Sequence, residues 1–219
     1  MSTDIGGIPR HEFLLVHAAP IEGHGLEDLG VEVLGVGKVA AAVHLQRLLV
    51  ERPSVRAVLL FGIAGAFPTR HRPDGDAAPA GIGDLVVVAN DRLGDEGVAT
   101  PDGFLDLGSM KLGDVGPFAC DPRLQDAAVE RLGAARVHGV TVSTCSGIDA
   151  ASCALQARTG ADVESMEGAA VAYLCRQQEL PLLQLRAISN WTGDRDRGEW
   201  SLGAAVDVVQ RAVRTLLTP

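Results

Sequence analysis

The sequence predicts a single α/β domain over residues 1–219, built on a twisted, mixed and mostly parallel central sheet flanked by helices. A chain of 219 residues suits one large core. Short Val- and Leu-rich runs alternate with helical patterns along the chain, which is the order of α/β proteins. Runs such as "AVLLF" and "LVVV" are continuously apolar, as is typical of strands that are covered on both faces.

The predicted elements follow one another with two interruptions. Residues 68–81, rich in Pro, Gly and Asp, predict a mobile surface loop, with Arg70, His71 and Arg72 in solvent or, as an alternative, within reach of a carboxylate on a ligand. The polar connection at 90–120 predicts a second surface excursion. The elements themselves are "FLLVHAA", "VEVLGV", "KVAAAVHLQRLLV", "VRAVLLF", "DLVVVAN", "ARVHGVTVST", "MEGAAVAYLCRQQ", "PLLQLRAI" and a last helix from about residue 203.

Composition excludes several classes of function. A net charge of −9 disfavours nucleic acid as a partner. The first apolar run, "EFLLVHAAPIEG", is too short for a membrane span and lacks the flanks of a signal peptide, so we expect a cytoplasmic protein without a membrane partner. The cysteines form no CxxC pair, which argues against zinc and disulfides and predicts reduced, mostly buried thiols. They are Cys120, Cys145, Cys153 and Cys175.

The stretch "GVGKVA" at 35–40 fits the G-x-G-x-x-A variant of the dinucleotide fingerprint. The next strand ends in Phe61 and Gly62 rather than in the acidic residue that would bind a ribose, so NAD is disfavoured. The stretch is not a Walker loop, because Glu32 and Val39 occupy the positions of its first glycine and its Ser or Thr. The pattern predicts a tight strand-to-helix turn, and no cofactor is expected.

Four strand ends carry polar or glycine-rich residues. If these strands run parallel, the four groups converge on one rim of the sheet, where α/β folds bind ligands. Two carboxylates, a carboxamide, a hydroxyl and free backbone N–H groups then surround one pocket, which suits activation of water better than a covalent nucleophile. The groups are Glu22, the glycine turn "FGIAGAF" at 61–67, Met166 with Glu167, and Arg186 with Ser189 and Asn190.

Most of these residues also have a purely structural interpretation. Glu167 is favoured in the first turn of a helix by the helix dipole, Glu22 suits a solvated loop, and Asn190 suits the cap of a turn. Arg186 differs, because it lies inside the apolar run "LLQLRAI", where an unpaired guanidinium is costly. We expect an acidic partner for it, either Glu22 or Glu164.

Five segments resemble, in this order and at these spacings, the nucleoside phosphorylase and nucleosidase superfamily. The resemblance covers nearly the whole chain, and its most specific part is "ESMEGAAVA" followed by "RAISN". It implies a twisted mixed sheet, cleavage of N-glycosidic bonds in nucleoside substrates, and assembly as a homodimer or a larger homo-oligomer. The segments are "GVGKVAAA", "FGIAGAF", "GDLVVV", "ADVESMEGAAVAYLC" and "RAISN".

The resemblance also implies roles for single residues. Hydrolytic members have, at the end of the first strand, a glutamate that activates water, where phosphorolytic members have a phosphate cradle rich in Gly and Arg. Glu22 matches that glutamate and has no Arg-containing cradle near it, which favours hydrolysis, with His24 as an alternative base. The other implied roles are a guanidinium near the water for Arg186, the ribose hydroxyls for Glu167, the ribose face for Met166, the purine for Asn190 positioned by Ser189, and backbone contacts from Gly65, Gly147 and Ile148.

Asn190 bears on the choice of base. In relatives that cleave methylthioadenosine or S-adenosylhomocysteine, the matching position is an aspartate that protonates N7 of adenine. An asparagine cannot act as that acid, but its carboxamide can donate a hydrogen bond to N7 or O6 of a 6-oxopurine. The asparagine therefore suits hypoxanthine as the leaving base.

Two further segments, "ATPDGFLDL" and "SNWTGDRDRGEW", and the strand end "APIE" resemble the futalosine hydrolase subfamily. This resemblance implies release of hypoxanthine from futalosine, an inosine-like intermediate of menaquinone biosynthesis. For the benzoate-like acid on the 5′ side of that substrate, the candidate partners are Arg92, Arg195 and Arg197. Phe104 is a candidate to reach a neighbouring subunit's pocket, with a surface-loop or core role equally open. The alternatives are an adenine-releasing nucleosidase on the same scaffold, a purine nucleoside phosphorylase, and a non-catalytic nucleoside-binding protein.

Overall fold

The computed structural model describes residues 4–73, 75–194 and 201–218. Within these ranges the strands are β1 (Phe13–His17), β2 (Glu32–Val33), β3 (Ala57–Ala66), β4 (Leu85–Leu93), β5 (Gly97–Thr100), β6 (Gly103–Asp106), β7 (Phe118–Ala119), β8 (Ala135–Thr141), β9 (Val163–Ser165) and β10 (Leu182–Trp191). The helices are α1 (Pro20–Gly23), α2 (Lys38–Glu51), α3 (Pro122–Leu132), α4 (Asp149–Thr159), α5 (Gly168–Gln177) and α6 (Leu202–Leu217). Among the described residues, no helix is long and apolar enough to cross a bilayer.

The central sheet is mixed and mostly parallel, as the sequence predicts. Strands β2, β1, β3 and β10 run parallel to one another, and β4, β8 and β9 form a second parallel set. The two sets join through antiparallel pairs, β10 with β4 and β3 with β9. Because β3 also pairs with β10, the strands β3, β10, β4, β8 and β9 close into a ring.

Hydrophobic cores on the two faces of the sheet explain the continuously apolar strands. On one face, Leu15 and Leu59 pack with Val213 of α6. On the other face, Leu14 packs with Leu45 of α2 and with side chains of α5. Successive residues of a strand point to opposite faces, so a strand between two helical layers is apolar at every position.

The turn predicted at "GVGKVA" is confirmed. β2 ends at Val33 and α2 begins at Lys38, with Gly35 and Gly37 between them at φ +87° and +97°. These φ values are readily available only to glycine. The glycines of this motif therefore serve the tight turn.

The prediction for the loop at 68–81 is wrong in one respect, since its basic residues are not simply solvated. His71 is buried, with Nδ1 2.8 Å from Oγ of Ser152 and Nε2 3.0 Å from Oδ1 of Asp149. Arg72 donates to Asp162 at 2.8 Å, whereas Arg70 is exposed and also contacts Asp149. These contacts dock the start of the loop on α4 and on Asp162, which immediately precedes β9.

The excursion predicted at 90–120 begins later than expected. Strand β4 continues to Leu93, so Asp91 lies in the sheet and is only 1% exposed. The hairpin β5–β6 follows, and Phe104 on it packs against the guanidinium of Arg158, 4.3 Å from ring centroid to Cζ. Of the four cysteines, Cys120 and Cys175 are buried, while Cys145 is exposed and Cys153 is half-buried.

Candidate active site

A cavity with two adjoining lobes opens where β1, β3 and β10 end and β9 meets β3. The first lobe has a volume of about 220 Å³ and the second about 280 Å³. Of the nine residues predicted from the sequence, six line the first lobe: Glu22, Gly65, Met166, Glu167, Ser189 and Asn190. Gly147 lines the second lobe, while Arg186 is buried behind the wall and Ile148 is 58% exposed.

The strand ends meet by a different route from the one expected. The stretch "FGIAGAF" is not a turn, because Phe61 to Ala66 continue β3. β9 runs antiparallel to β3, with Gly65 opposite Glu164. Because β9 crosses β3 at the carboxyl end of β3, Met166 and Glu167 still reach the cavity.

Backbone N–H groups hold the carboxylate of Glu22. Its Oε2 accepts hydrogen bonds from Ala18 at 3.0 Å and from Ala19 at 2.8 Å, and its Oε1 accepts one from Ile63 at 3.0 Å. A carboxylate offers about four acceptor positions, so one position stays open on Oε1. His24, the alternative base, has a side chain that is 86% exposed and lies 3.5 Å from Glu27.

The prediction that Glu22 or Glu164 is the acidic partner of Arg186 is wrong. Its Nε and Nη2 donate to Oε1 of Gln184 at 3.3 and 2.9 Å, and its Nη1 donates to the carbonyl of Ile63 at 3.4 Å. Glu164, the other candidate partner, accepts instead from the backbone N–H and the Oγ of Ser146, at 2.9 and 2.5 Å. The side-chain acceptor for the guanidinium is therefore the neutral amide oxygen of Gln184 and not a carboxylate, although Arg186 is only 1% exposed.

Glu167 immediately precedes α5 and is buried. Its Oε1 accepts the backbone N–H of Gly37 at 2.8 Å, so the turn that starts α2 fixes the carboxylate. Burial raises the pKa of Glu167, and the nearby charge of Arg186 opposes that rise. A carboxylate offers about four acceptor positions, so Glu167 can accept further hydrogen bonds from a partner in the cavity.

The side chain of Asn190 lies between two local partners. Its Oδ1 accepts from Oγ of Ser189 at 2.8 Å, and its Nδ2 donates to the carbonyl of Trp191 at 2.8 Å. The amide packs against Gly65, where a Cβ atom would lie 3.1 Å from Nδ2. One N–H of Nδ2 remains for a ligand, since the group carries two donors.

Glu164 lines both lobes and is a site residue for which the sequence suggested only a pairing role. Its two bonds to Ser146 hold the segment that carries Gly147. Burial raises the pKa of Glu164, while the hydrogen bonds from Ser146 lower it. Ala18, Ala19, Val36, Cys145 and Ser165 also line the cavity and were not singled out in the sequence.

The acidic residues of the cavity are not arranged as a metal site. Among residues 4–73, 75–194 and 201–218, no group of three or more His, Cys, Asp or Glu side chains is placed to hold an ion. The carboxylates instead accept hydrogen bonds from backbone N–H groups and, in Glu164, also from a hydroxyl. The arrangement suits a polar organic ligand with several hydroxyl groups.

Comparison with known proteins agrees with this geometry. A sequence model of the phosphorylase superfamily matches residues 21–218. The chain is 35% identical over 200 residues to the futalosine hydrolase of Thermus thermophilus, covering 88% of this chain and 84% of that relative. As the sequence predicts, the chain belongs to the phosphorylase superfamily and, within it, to the futalosine hydrolase family.

Solved structures share the fold at lower identity. The native structure of futalosine hydrolase from Helicobacter pylori superposes with a TM-score of 0.77 and 17% identity, covering 93% of this chain and 96% of that one. The methylthioadenosine/S-adenosylhomocysteine nucleosidase from Colwellia psychrerythraea, solved with adenine, gives a TM-score of 0.75 and 22% identity, covering 94% and 93%. The two neighbours support the α/β fold predicted from the sequence.

Proposed function

We propose that this chain hydrolyses the N-glycosidic bond of futalosine and releases hypoxanthine and dehypoxanthine futalosine, a step of menaquinone biosynthesis. The observation that carries the proposal is the convergence of Glu22, Glu167 and Asn190 on one cavity, in a chain 35% identical to a futalosine hydrolase. Departure of the base gives the sugar oxocarbenium character. Catalysis therefore requires a poised water, a stabilised cation and a satisfied leaving group.

In this proposal, Glu22 orients and deprotonates the attacking water. Three backbone N–H groups hold its carboxylate, and the open acceptor position on Oε1 is where a water proton is received. Arg186 lies next to this oxygen. A Cβ atom on Gly62 would contact both Oε1 of Glu22 and Nη1 of Arg186, so the absence of a side chain at Gly62 lets the two groups approach the same point. The guanidinium can fix the carboxylate or the water.

Glu167 would accept hydrogen bonds from the 2′ and 3′ hydroxyls of the ribose. Such bonds strengthen as positive charge develops on the sugar. The Gly37 N–H restrains Oε1, and the acceptor positions that remain on the carboxylate would bind the diol. Met166, on the same wall, would pack against the ribose face.

Asn190 would bind the purine through the remaining N–H of its amide. Its Oδ1 is held by Ser189 and one Nδ2 proton is taken by Trp191, so the side chain points a donor rather than an acid at the base. A donor suits N7 or O6 of hypoxanthine. Gly65 leaves room beside the amide, and Gly147 lines the adjoining lobe, where its backbone can meet the base edge.

Chromatography of the released bases tests this proposal. The purified chain is incubated with futalosine, inosine and methylthioadenosine, each with and without phosphate. We expect hypoxanthine from futalosine, independent of phosphate. Adenine from methylthioadenosine would instead establish the nucleosidase alternative, and strict dependence on phosphate would establish a phosphorylase.

We further propose that the chain assembles as a homodimer or a larger homo-oligomer. α2 and the turn before it expose an apolar stripe beside the cavity, made of Val36, Val39, Val43 and Val50, which are 55–79% exposed. Large exposed apolar surface is typical of interaction sites. Sedimentation of Val39→Asp should give a smaller species than the wild type, whereas Ala204→Asp, at the exposed start of α6, should not.

The remaining expectations stay predictions. Arg92, a candidate partner of the 5′ acid, lies 3.9 Å from Asp106 on the hairpin side. Arg195 and Arg197 lie outside the described residues. The cytoplasmic location also stays a prediction.

A further inference from the structure

A buried chain of hydrogen bonds connects residues behind the cavity wall. It consists of Asp91 on β4, Thr141 on β8, and Gln184 and Arg186 on β10. All four residues are at most 1% exposed. Asp91, Thr141 and Gln184 have no role in the proposed mechanism. We call the hydrogen-bonded set of Asp91, Thr141, Gln184 and Arg186 the Asp91 chain.

One arm of the Asp91 chain leads to Arg186. Gln184 donates from Nε2 to Oδ2 of Asp91 at 3.1 Å, and its Oε1 accepts from Nε and Nη2 of Arg186 at 3.3 and 2.9 Å. Only one orientation of the amide satisfies both neighbours, because a carboxylate requires a donor and a guanidinium requires an acceptor. The carboxylate of Asp91 thus orients the amide of Gln184 so that Oε1 of Gln184 accepts from the guanidinium of Arg186.

The other arm leads to Glu167. Thr141 donates from Oγ1 to Oδ1 of Asp91 at 2.9 Å and accepts the backbone N–H of Ala169 at 2.7 Å. Ala169 lies in the first turn of α5, two residues after Glu167. The hydroxyl of Thr141 therefore fixes the first turn of α5, and with it the backbone of Glu167, which immediately precedes this helix.

Two glycines make room for this arrangement. A Cβ on Gly168 would lie 2.0 Å from Oδ2 of Asp91 and 2.3 Å from Oε1 of Gln184, and a Cβ on Gly139 would lie 2.8 Å from Oδ2 of Asp91. Real Cβ contacts are essentially never that short. The backbones of α5 and β8 thus approach the carboxylate at positions that only glycine permits.

We propose that Asp91 is a positioning residue of the nucleosidase reaction, which orients the guanidinium of Arg186 through Gln184 and fixes the backbone of Glu167 through Thr141. The inference rests on the proposed function and deepens it. A buried carboxylate is costly, and apolar packing would fill this space at lower cost if stability were its only purpose. Asp91 instead joins the residue beside the attacking water to the residue that binds the ribose.

The test compares steady-state rates of the wild type and Asp91→Asn, using the nucleoside that the wild type cleaves best. Asparagine offers one acceptor oxygen, so either Thr141 or Gln184 loses its acceptor. We expect kcat to fall roughly 10- to 100-fold, as small misplacements of catalytic groups do, with KM changed less than about threefold because no substrate contact is removed. An unchanged kcat would overturn the inference, whereas a wild type that cleaves no nucleoside would overturn the proposed function itself.

The pH dependence separates positioning from a general structural role. Burial raises the pKa of Asp91 to about 6, against the lowering effects of Arg186, Thr141 and Gln184. Arg186 and the Cys120 thiol are titratable groups that interact electrostatically with Asp91. Protonated Asp91 is uncharged and resembles asparagine. The wild-type kcat divided by the Asp91→Asn kcat should therefore fall toward one below about pH 6. A ratio that stays constant from pH 5 to 8 would contradict positioning by the carboxylate.

Two further variants keep the test decisive if Asp91→Asn folds poorly. Thr141→Ser retains the hydroxyl and should retain most of the wild-type kcat, whereas Thr141→Val should lose it. Asp162→Asn is the matched control, because Asp162 is also buried but pairs with Arg72 and the backbone N–H of His138. A loss in Asp162→Asn equal to that in Asp91→Asn, or equal rates for the two Thr141 variants, would contradict the inference.

Discussion

Glu22 and Arg186 lie against the same glycine, yet neither is the other's hydrogen-bond partner. A Cβ on Gly62 would lie 2.5 Å from Oε1 of Glu22 and 2.8 Å from Nη1 of Arg186. The carboxylate rests on backbone N–H groups and the guanidinium on Gln184. Because each charge is held separately, Oε1 of Glu22 keeps an acceptor position for water.

Gly62→Ala should therefore damage catalysis, because the added methyl group displaces the carboxylate or the guanidinium. We expect kcat to fall about 100-fold, on the scale reported for misplacements of about 1 Å. The matched control is Gly203→Ala, since a Cβ there meets no atom within 4 Å. Equal rates in the two alanine variants would show that the spacing at Gly62 is unimportant.

Glu22→Gln should remove the general base and leave the shape of the cavity intact. We expect turnover to fall by roughly 100-fold or more while substrate binding persists, in the usual range for loss of a general base. Glu27→Gln, at an exposed carboxylate beside His24, provides the control. Near-normal turnover in Glu22→Gln would exclude Glu22 as the general base and favour His24 in that role.

Asn190→Asp should shift the base preference toward adenine nucleosides. The carboxylic acid would offer N7 a proton that the carboxamide cannot give. The ratio of kcat/KM for methylthioadenosine to that for futalosine measures the effect, and we expect it to rise at least tenfold, as expected for about 1.4 kcal/mol of differential transition-state binding. An unchanged ratio would show that the purine is selected elsewhere in the cavity.

Asp91 should lower stability as the pH rises. Its folded pKa of about 6 exceeds the ordinary value of 3.8, so its favourable contribution is present below about pH 4 and is lost as the pH rises through 6. Relative to the wild type, Asp91→Asn should gain up to about 3 kcal/mol in free energy of unfolding between pH 4 and 7. Urea denaturation across this range measures it, and a pH-independent difference would contradict a raised pKa.

Much of the fold and the central part of the site can be predicted from the sequence. Continuous apolar runs predict the strands, and polar residues at the strand ends predict that Glu22, Glu167 and Asn190 meet. For Glu22 and Asn190 the prediction succeeds because the carboxyl ends of the parallel strands β1 and β10 share one edge of the sheet. Glu167 reaches the same cavity by another route, because β9 runs antiparallel to β3 and crosses it at the carboxyl end of β3.

The supporting polar residues are harder to find, because their partners are distant in the sequence. Asp91 stands in a polar stretch that suggests a surface connection, and His71 stands in a loop rich in Pro and Gly, yet both are buried. The spacing of Gln184 and Arg186 is a sequence pattern from which a buried polar contact can be predicted. They stand two residues apart in an apolar strand and so must point to the same face.

The most direct test of the account is the identity of the sugar product formed from futalosine in ¹⁸O-labelled water that also contains phosphate. Activation of water by Glu22 predicts free hypoxanthine and a sugar that carries one heavy oxygen at C1′, detected by mass spectrometry. A sugar 1-phosphate, or a product without the heavy oxygen, would contradict hydrolysis at this site.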